Sequence, residues 1–429
     1  MDSRIERLSS QGSWRNSREI NVGNVPYSVR DVFITAPLIA GLNVYLVGGT
    51  GEGKTQLAND LAGLFGDSFC YAEGRPDFEP SELLKQLNLD LKGKVSDREL
   101  VTLTENVNKA LFYVDELNRC PPIVMNYFFN FFDGKLLHQG KVHRLGKDGY
   151  AVGFASGNID DGAYVGISET DRALRDRMHL IVKLDDPQFC TTEEDDGFIF
   201  DTKKDPRATA PLSGRDALDD ILALNNEFRC REVPAILPAL GVYFHKGLDY
   251  LETSSRHSKR ALDLVWPNGD GIKKDTDESK IMPLSKRAIL SAISLSQALA
   301  MIAESRGHNV NDSALMFLDS LRFTVPYSGV LAPDFVHNEK SGDVYAAYDA
   351  VMERTRREFN ERKESLEMGI AFAQHGVKEE PLLDKITTVS ETNRWTPVRR
   401  YVERLAEKPS SDTGRVDDIR KELGKWLIN

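Results

Sequence analysis

The first third of the chain alternates short, wholly apolar runs with a segment of helical spacing. The runs VYLV at 44–47 and ALFYV at 110–114 predict buried strands. Between them, QLANDLAGLF places Leu57, Leu61 and Leu64 on one face and predicts a helix. Because strands that alternate with helices form parallel sheets with helices on both faces, we expect an α/β fold with an αβα core.

From Ser213 onward the apolar positions recur at helical spacing. The predicted helical segments are DALDDILALNNEF, VPAILPALGVYFHKGLDYL, LSKRAILSAISLSQALAMIAESRG, HNVNDSALMFLDSLRF, AAYDAVMERTRREFNERKESLEMGIAFA, TPVRRYVERLAEKP and VDDIRKELGKWLI. The charged stretch 183–210 predicts a linker or insertion, and the polar stretch 252–280 predicts an exposed loop or hairpin. In the longest segment, Arg354, Arg356, Arg357 and Arg362 alternate with glutamates, which favours a solvated face over a partner-binding one.

Composition narrows the class of protein. The 429 residues, 41% hydrophobic and 28% charged, suit a globular protein of two or three domains. A net charge of −11 argues against a protein that coats nucleic acid. The four cysteines, Cys70, Cys120, Cys190 and Cys230, show no CxxC spacing, so we expect a reduced cytoplasmic setting without a disulfide framework or structural zinc.

Neither a secretory signal nor an apolar run long enough to cross a bilayer is evident in the sequence. The opening segment, MDSRIERLSSQGSWRNSRE, is polar, and we expect it to be frayed or regulatory.

The segment GGTGEGKT, residues 48–55, follows the first predicted strand and opens the predicted helix, which is the context of a phosphate-binding loop. Its glycines allow backbone N–H groups to face phosphate oxygens, and the helix N-terminus favours negative charge. Lys54 can reach the β- and γ-phosphates, and the Thr55 hydroxyl can ligate Mg²⁺. The candidate nucleotide-binding residues are Gly48, Gly49, Thr50, Gly51, Glu52, Gly53, Lys54, Thr55, Gln56 and Asp115.

The second predicted strand ends in two carboxylates, Asp115 and Glu116. Asp115 would hold Mg²⁺ together with Thr55, and Glu116 would orient and polarise a water molecule. A protein that only stores nucleotide has no use for a base beside the γ-phosphate, so the second carboxylate favours hydrolysis.

Several ordered motifs resemble those of MoxR-type AAA+ ATPases. DELNRCPP, residues 115–122, looks like the family signature DE-x-N-R-x-PP, and NYFFNFFDG resembles the family's helix before a β-hairpin. GRPDFEPSELL at 74–84 resembles the segment after the family's second core strand. YAVGFASGNIDDGAYVGISETDRALRDRM at 150–178 resembles the sensor-1 strand and the segment with the arginine finger. The resemblance extends from about residue 25 to about residue 330.

The resemblance assigns further catalytic roles. Asn158 matches sensor 1, which would hold the attacking water with Glu116, although Gly157 and Ile159 replace the family's Gln and Pro and leave the loop shape open. A plain turn before DDG is the alternative interpretation of Asn158.

Arginines follow at two places. The family's Asp-Arg pair maps to Asp176 and Arg177, so Arg177 is the expected finger that a neighbouring subunit inserts, with Arg175 or Arg172 as alternatives. Arg287, in the S-x-R-A start of a later helix, matches sensor 2. For each arginine, a solvated position on a helix is the competing interpretation.

The resemblance also implies an organisation and an activity. The predicted domains are a polar N-terminal arm at 1–24, the AAA+ core at 25–187, a linker or insertion at 188–212, a helical lid at 213–335 and a helical C-terminal extension at 336–429. The implied activity is Mg²⁺-dependent ATP hydrolysis by a homo-oligomeric, hexameric ring. That ring would remodel or mature a protein client, with metal insertion and a von Willebrand A-domain partner as family habits. Two alternatives stay open: a nucleic-acid-associated motor subunit, and a nucleotide-gated scaffold with negligible turnover.

Overall fold

A computed structural model describes residues 2–49, 51–77, 81–87, 101–120, 128–157, 175–202, 216–252, 258–388 and 393–407. By their contacts the residues form two compact units. The first unit comprises Met1–Arg231 and Ser291–Asp312, and the second comprises Glu232–Leu290 and Ser313–Asn429. The predicted domain boundaries were drawn from sequence motifs and stay a prediction.

The first unit is built around a five-stranded parallel sheet in the order β11-β3-β10-β7-β4. The strands of the described residues are β1 Glu19–Val22, β2 Val25–Ser28, β3 Val44–Val47, β4 Phe69–Glu73, β5 Lys85–Leu87, β6 Val101–Leu103, β7 Leu111–Asp115, β8 Lys135–His138, β9 Lys141–Arg144, β10 Val152–Gly157 and β11 Leu180–Lys183. All residues of β3 and β10 are buried, as expected for central strands covered on both faces. The predicted α/β class is therefore confirmed.

Register brings the carboxyl ends of the central strands together. Val47 of β3 is aligned with Gly157 of β10 and with Lys183 of β11. On the other side of β10, Ala155 is aligned with Val114 of β7. Whatever follows these strands therefore lies at one edge of the sheet, where ligands bind in open α/β sheets.

The remaining strands form antiparallel pairs, β1–β2, β5–β6 and β8–β9. The β8–β9 pair confirms the hairpin expected after the acid-glycine turn at Asp133 and Gly134. Leu137 and Val142 on this hairpin are 64% and 68% exposed.

Among the described residues of the first unit, the α-helices with both ends described are α1 Ser3–Ser10, α2 Ala36–Ala40, α3 Lys54–Phe65, α4 Ser81–Leu84, α5 Glu193–Thr202 and α6 Leu218–Arg229. The N-terminal segment was expected to be frayed or regulatory, and fraying is wrong. Asp2 caps α1 by accepting a hydrogen bond from the backbone of Arg4, and Ile5 and Leu8 are buried. The stretch expected as a linker contains α5, whose first turn carries four acids that favour a helix N-terminus.

The second unit is helical, as the apolar spacing predicted. The α-helices of its described residues are α7 Ile236–Val242, α8 Asp277–Lys280, α10 Ser313–Thr324, α11 Val344–Gln374, α12 Glu380–Thr388 and α13 Thr396–Ala406. A further helix, α9 Lys286–Ser305, begins in this unit and ends in the first. The helix predicted from VDDIRKELGKWLI lies outside the described residues.

Charged side chains of the second unit are buried at two places where the sequence predicted exposure. Arg362, expected on a solvated face, has no exposed side-chain surface and donates to the backbone oxygens of Ile386 and Glu358. The polar stretch 252–280 is not simply an exposed loop. Within it, Lys259 is fully buried and donates to the backbone oxygens of Asp277 (3.2 Å) and Ile281 (2.7 Å).

Helix α9 also modifies the expectation about membrane spans. Among the described residues it is long and apolar enough to cross a bilayer. However, 72% of its apolar stretch is buried inside the protein, as in the core helix of a globular protein. Its length and composition are therefore weak support for a membrane span.

Candidate nucleotide-binding site

The loop between β3 and α3 has the backbone conformation that its glycines were expected to allow. Gly51 and Gly53 adopt φ of +98° and +75°, a region that side chains with a Cβ disfavour. The Gly48 N–H donates to the Gly157 oxygen of β10 at 3.3 Å. The Lys54 ammonium donates to the backbone oxygens of Gly48 (2.8 Å) and Gly49 (2.6 Å). The lysine side chain therefore folds back from the start of α3 over the loop that precedes it.

Lys54 is surrounded by acids. Burial lowers the pKa of Lys54, and the carboxylates of Glu52, Asp115, Asp185 and Glu116 act in the opposite direction. This mutual influence shows that the two acids predicted at the end of β7 lie within electrostatic range of the loop lysine.

Asp115 is oriented by hydrogen bonds on both carboxylate oxygens. The Ser156 hydroxyl and the Glu116 N–H donate to Oδ1, and the Tyr71 hydroxyl donates to Oδ2 at 3.1 Å. Burial, followed by the charge of Asp115, raises the pKa of Tyr71, so this phenol stays protonated and remains a donor. The three donors come from β4, β10 and the end of β7, and they fix the carboxylate at the edge of the sheet.

Glu116 lies in an uncommon backbone conformation, with φ of +51°. Its N–H donates to Ser156 Oγ at 3.1 Å, and its carboxylate pairs with Arg119 at 2.8 Å (Nη1 to Oε2). Gly74 permits the close approach of the segment after β4, because a Cβ there would lie 2.3 Å from the backbone oxygen of Glu116. Left-handed backbone at a non-glycine residue is concentrated at functional sites in proteins, and here it directs the second carboxylate.

The donor set fits Mg²⁺. This ion prefers hard oxygen ligands and is commonly held by one or two carboxylates together with substrate phosphates. Asp115 supplies an oriented carboxylate, and Thr55 supplies a hydroxyl on the first turn of α3. Across the part of the chain that the structure describes, no group of three or more His, Cys, Asp or Glu side chains could hold a metal by protein ligands alone.

The predicted catalytic arginines lie at two places in the structure. Arg177 donates through Nε to Asp133 Oδ2 at 3.0 Å, and its guanidinium lies 4.4 Å from the centre of the Phe129 ring. Arg175 is half-buried just before it, and Arg287 is half-buried on the first turn of α9, in the second unit. Thr50, Asn158 and Arg172 lie outside the described residues. The roles of all these residues stay predictions.

Sequence reasoning missed several members of the site. Ser156 and Tyr71 orient Asp115, and Asp185 accepts a hydrogen bond from the Gly49 N–H at 3.2 Å. Burial, followed by the charge of Asp185, raises the pKa of Glu52. Asp185 could have been found by the reasoning used for Asp115, because it is an acid just beyond the carboxyl end of a strand in the same sheet.

Comparisons with known proteins agree with this geometry. Residues 43–178 match the family model described as AAA domain (dynein-related subfamily). A crystal structure of a "putative ATPase" from Cytophaga hutchinsonii matches with a TM-score of 0.50 and 16% sequence identity, over 73% of this chain and 86% of that one. At that identity the likeness shows the fold alone. No curated protein sequence matches significantly. The fold is an α/β P-loop AAA+ core followed by a helical C-terminal region, and the family match supports an AAA+ ATPase.

Proposed function

We propose that this AAA+ protein hydrolyses ATP to ADP and phosphate with Mg²⁺, as a cytoplasmic homo-oligomeric ring. The observation that carries the proposal is the pair of carboxylates at the end of β7. Asp115 is fixed by Ser156 and Tyr71, Glu116 is turned by its left-handed backbone, and both act electrostatically on Lys54.

Each residue has a distinct task in this reaction. The loop N–H groups and Lys54 bind the phosphates. Thr55 and Asp115 would hold Mg²⁺, which when bound offsets the negative charge of the phosphates. Glu116 orients a water molecule and accepts its proton while the water oxygen bonds to the γ-phosphorus. The bond from that phosphorus to the bridging oxygen breaks, and ADP leaves with the electron pair.

Arg119 restrains Glu116 through an ion pair. Its Nη1 holds Glu116 Oε2 at 2.8 Å, and the side chains of Arg119 and Glu116 are 50% and 25% exposed. An ion pair this accessible is weak enough to be exchanged for a hydrogen bond to water during turnover.

The supramolecular part of the proposal rests on the MoxR resemblance of DELNRCPP and the segments around it. In a hexamer, Arg177 of one subunit, or else Arg175 or Arg172, would reach the γ-phosphate of the next. Arg287 would sense the nucleotide from the lid, and Asn158 would assist the water. The ring would remodel or mature a protein client, in the manner of a chaperone, with a von Willebrand A-domain protein as the partner.

Phosphate release by Glu116→Gln tests the hydrolytic assignment. The variant should keep ATP binding and lose at least about 100-fold in turnover, since general-base catalysis contributes on the order of 10²–10⁴. Glu73→Gln is a matched control, because Glu73 is an exposed acid that ends β4 and is aligned with Asp115. Wild-type turnover by Glu116→Gln would refute the proposal. Equal inertness of wild type and variant in assembled, ATP-bound rings would favour the scaffold alternative.

A mixing experiment tests the ring and its trans arginine. Arg177→Ala and Glu116→Gln should each be inactive alone. In a closed ring with head-to-tail interfaces, about a quarter of the interfaces of a 1:1 mixture join an intact Glu116 to an intact Arg177, so activity should reappear. Mixed rings without any recovery would exclude Arg177 as the trans finger.

A further inference from the structure

Residues 13–18, which we name the N-terminal strap, are tied to the phosphate-loop helix. The backbone N–H groups of Ser13 and Trp14 donate to Oδ1 and Oδ2 of Asp60 on α3, both at 2.9 Å. Arg30 pairs with the same carboxylate at 3.1 Å, and the Arg30 and Asp60 side chains are only 7% and 3% exposed. The start of the strap is therefore fixed against α3 by a buried, charge-assisted network.

The other end of the strap is tied to the segment that follows β11. Arg15 Nε and the Ser17 N–H donate to the buried carboxylate of Asp195 at 2.9 and 2.8 Å. Asn16 Nδ2 donates to the backbone oxygen of Phe189 at 2.7 Å. The strap thus spans from α3 to the residues beyond β11 and passes the phosphate-binding loop on the way.

Trp14 contacts the loop itself. A Cβ built on Gly53 would lie 2.9 Å from Trp14 Cδ1 and 3.0 Å from Nε1, so the indole packs against the last loop glycine. Trp14 as a whole is 9% exposed, so most of its surface is covered by the protein. Gly53 therefore has no side chain for two reasons: its positive φ, and the tryptophan that lies over it.

Strand order determines which part of a nucleotide would lie beside this tryptophan. The loop follows β3, and the acids Asp115 and Glu116 end or follow β7, which lies beyond β10 on one side of β3. The γ-phosphate must point toward those acids. The nucleoside must then extend toward the opposite side of β3, where β11 lies and where the strap reaches the residues beyond it.

We propose that the N-terminal strap forms the wall of the nucleoside-binding site and that Trp14 is its aromatic contact with the base or ribose. The inference rests on the proposed binding of ATP. It predicts a protein that distinguishes a nucleoside triphosphate from inorganic triphosphate through residue 14. Stacking of a base on an aromatic ring is worth about 1–3 kcal/mol by alanine substitution, which corresponds to about 5-fold to 150-fold in affinity.

Calorimetric titration of the protein with ATP, and separately with inorganic tripolyphosphate, tests the proposal. Both titrations contain Mg²⁺ and use the Glu116→Gln background to prevent turnover. Trp14→Ala should weaken ATP binding at least about 5-fold and change tripolyphosphate binding less than about 2-fold. Trp14→Phe, which keeps an aromatic ring, should restore most of the ATP affinity. Trp266→Ala, in the second unit, controls for the loss of a tryptophan that is not part of the strap.

Three results would overturn the proposal. Equal losses for both ligands would mean that Trp14 acts on the phosphate loop. Unchanged affinities would mean that it does not touch the ligand, and increased affinities would mean that the strap obstructs the site. If Trp14→Ala does not fold, Trp14→Leu keeps apolar bulk without the ring and should show the same selective loss. A parent protein that binds no ATP would instead refute the proposed function, so the two failures are distinguishable.

Discussion

Removing the Asp60 carboxylate should release the N-terminal strap from the phosphate-loop helix. Asp60 accepts hydrogen bonds from Ser13 N and Trp14 N, and it is the ionic partner of the buried Arg30. It also accepts from Gln56 Nε2 at 3.3 Å. In Asp60→Ala the two strap N–H groups lose their acceptor and Arg30 loses its counter-charge.

The magnitude follows from the kind of bond that is lost. A hydrogen bond to a charged group contributes about 1.5–3 kcal/mol. The two hydrogen bonds from the strap to Asp60 therefore stabilise the bound strap, relative to the released strap, by at least about 3 kcal/mol. Their loss should raise the population of the released strap by more than about 100-fold, at about 1.4 kcal/mol per tenfold. Breaking the buried Arg30 pair should also lower the free energy of unfolding by about 3–5 kcal/mol.

Limited digestion with trypsin measures release directly, because Arg15 and Arg18 lie within the strap. When opening is fast relative to cleavage, the cleavage rate follows the open population. Asp60→Ala should therefore be cut in the strap more than about 100-fold faster than wild type. Asp60→Asn, which keeps one acceptor oxygen, should be intermediate. Asp67→Ala, which removes an exposed acid just after α3, should behave as wild type. Strap cleavage in Asp60→Ala within about threefold of wild type would refute this account of how the strap is held.

Three further variants test individual charges. Arg119→Ala should raise basal phosphate release about 1.4-fold to 5-fold. The variant removes the exposed ion pair that restrains Glu116, and such a pair is worth about 0.2–1 kcal/mol. A tenfold loss of phosphate release would contradict this expectation. Burial would raise the pKa of Asp31, but hydrogen bonds from Arg306 and neighbouring hydroxyls outweigh it and lower that pKa. The stability advantage of wild type over Asp31→Asn should therefore be fully present above the unfolded-state pKa of about 3.9 and shrink below it, as urea unfolding at several pH values would show. Burial lowers the pKa of Lys259 to about 7. Wild-type stability should then rise between about pH 7 and the unfolded-state pKa of about 10.4, and Lys259→Met should lack that rise in the same assay.

The strand, glycine loop and helix around residues 44–65 and the strand that ends at Asp115 could be predicted because each is encoded by a short local pattern. A buried strand, a glycine turn and an amphipathic helix are contiguous in sequence, and their conformations need little from the rest of the chain. Asp115 and Glu116 follow from the same logic, since the carboxyl ends of parallel strands meet at one edge. The sheet confirms that arrangement, with β10 between β3 and β7.

The groups that orient those acids could not be predicted, because they depend on strand order. Tyr71 reaches Asp115 only because β4 pairs with β7, and Ser156 does so only because β10 pairs with β7. Neither pairing is encoded near the residues themselves. Asp185 likewise reaches Gly49 because β11 is the neighbour of β3.

Polarity was the misleading signal at the N-terminus and in the helical region. MDSRIERLSSQGSWRNSRE has few apolar residues, and a polar segment without periodicity is typical of a solvated arm. Here, however, its donors meet buried acids that lie far along the chain, Asp60 and Asp195. Arg362 is similar, since its Nε and Nη1 donate to backbone oxygens inside the second unit. Single-sequence patterns report how many polar groups a segment has, whereas their burial depends on partners elsewhere.

The acids around Lys54 also bear on which form of the nucleotide the site accepts. Four carboxylates, those of Glu52, Asp115, Asp185 and Glu116, act on one loop lysine, while Arg119 pairs with Glu116 and Lys183 with Asp185. A bare triphosphate would bring further negative charge to a site where, among the described residues, these four acids outnumber the bases Lys54, Arg119 and Lys183. The same triphosphate carrying Mg²⁺ brings a cation that Asp115 and Thr55 are suited to hold, so part of this repulsion becomes attraction. The charge distribution therefore favours entry of the metal together with the nucleotide, and it explains why a loop built to bind anions can tolerate acids on both sides.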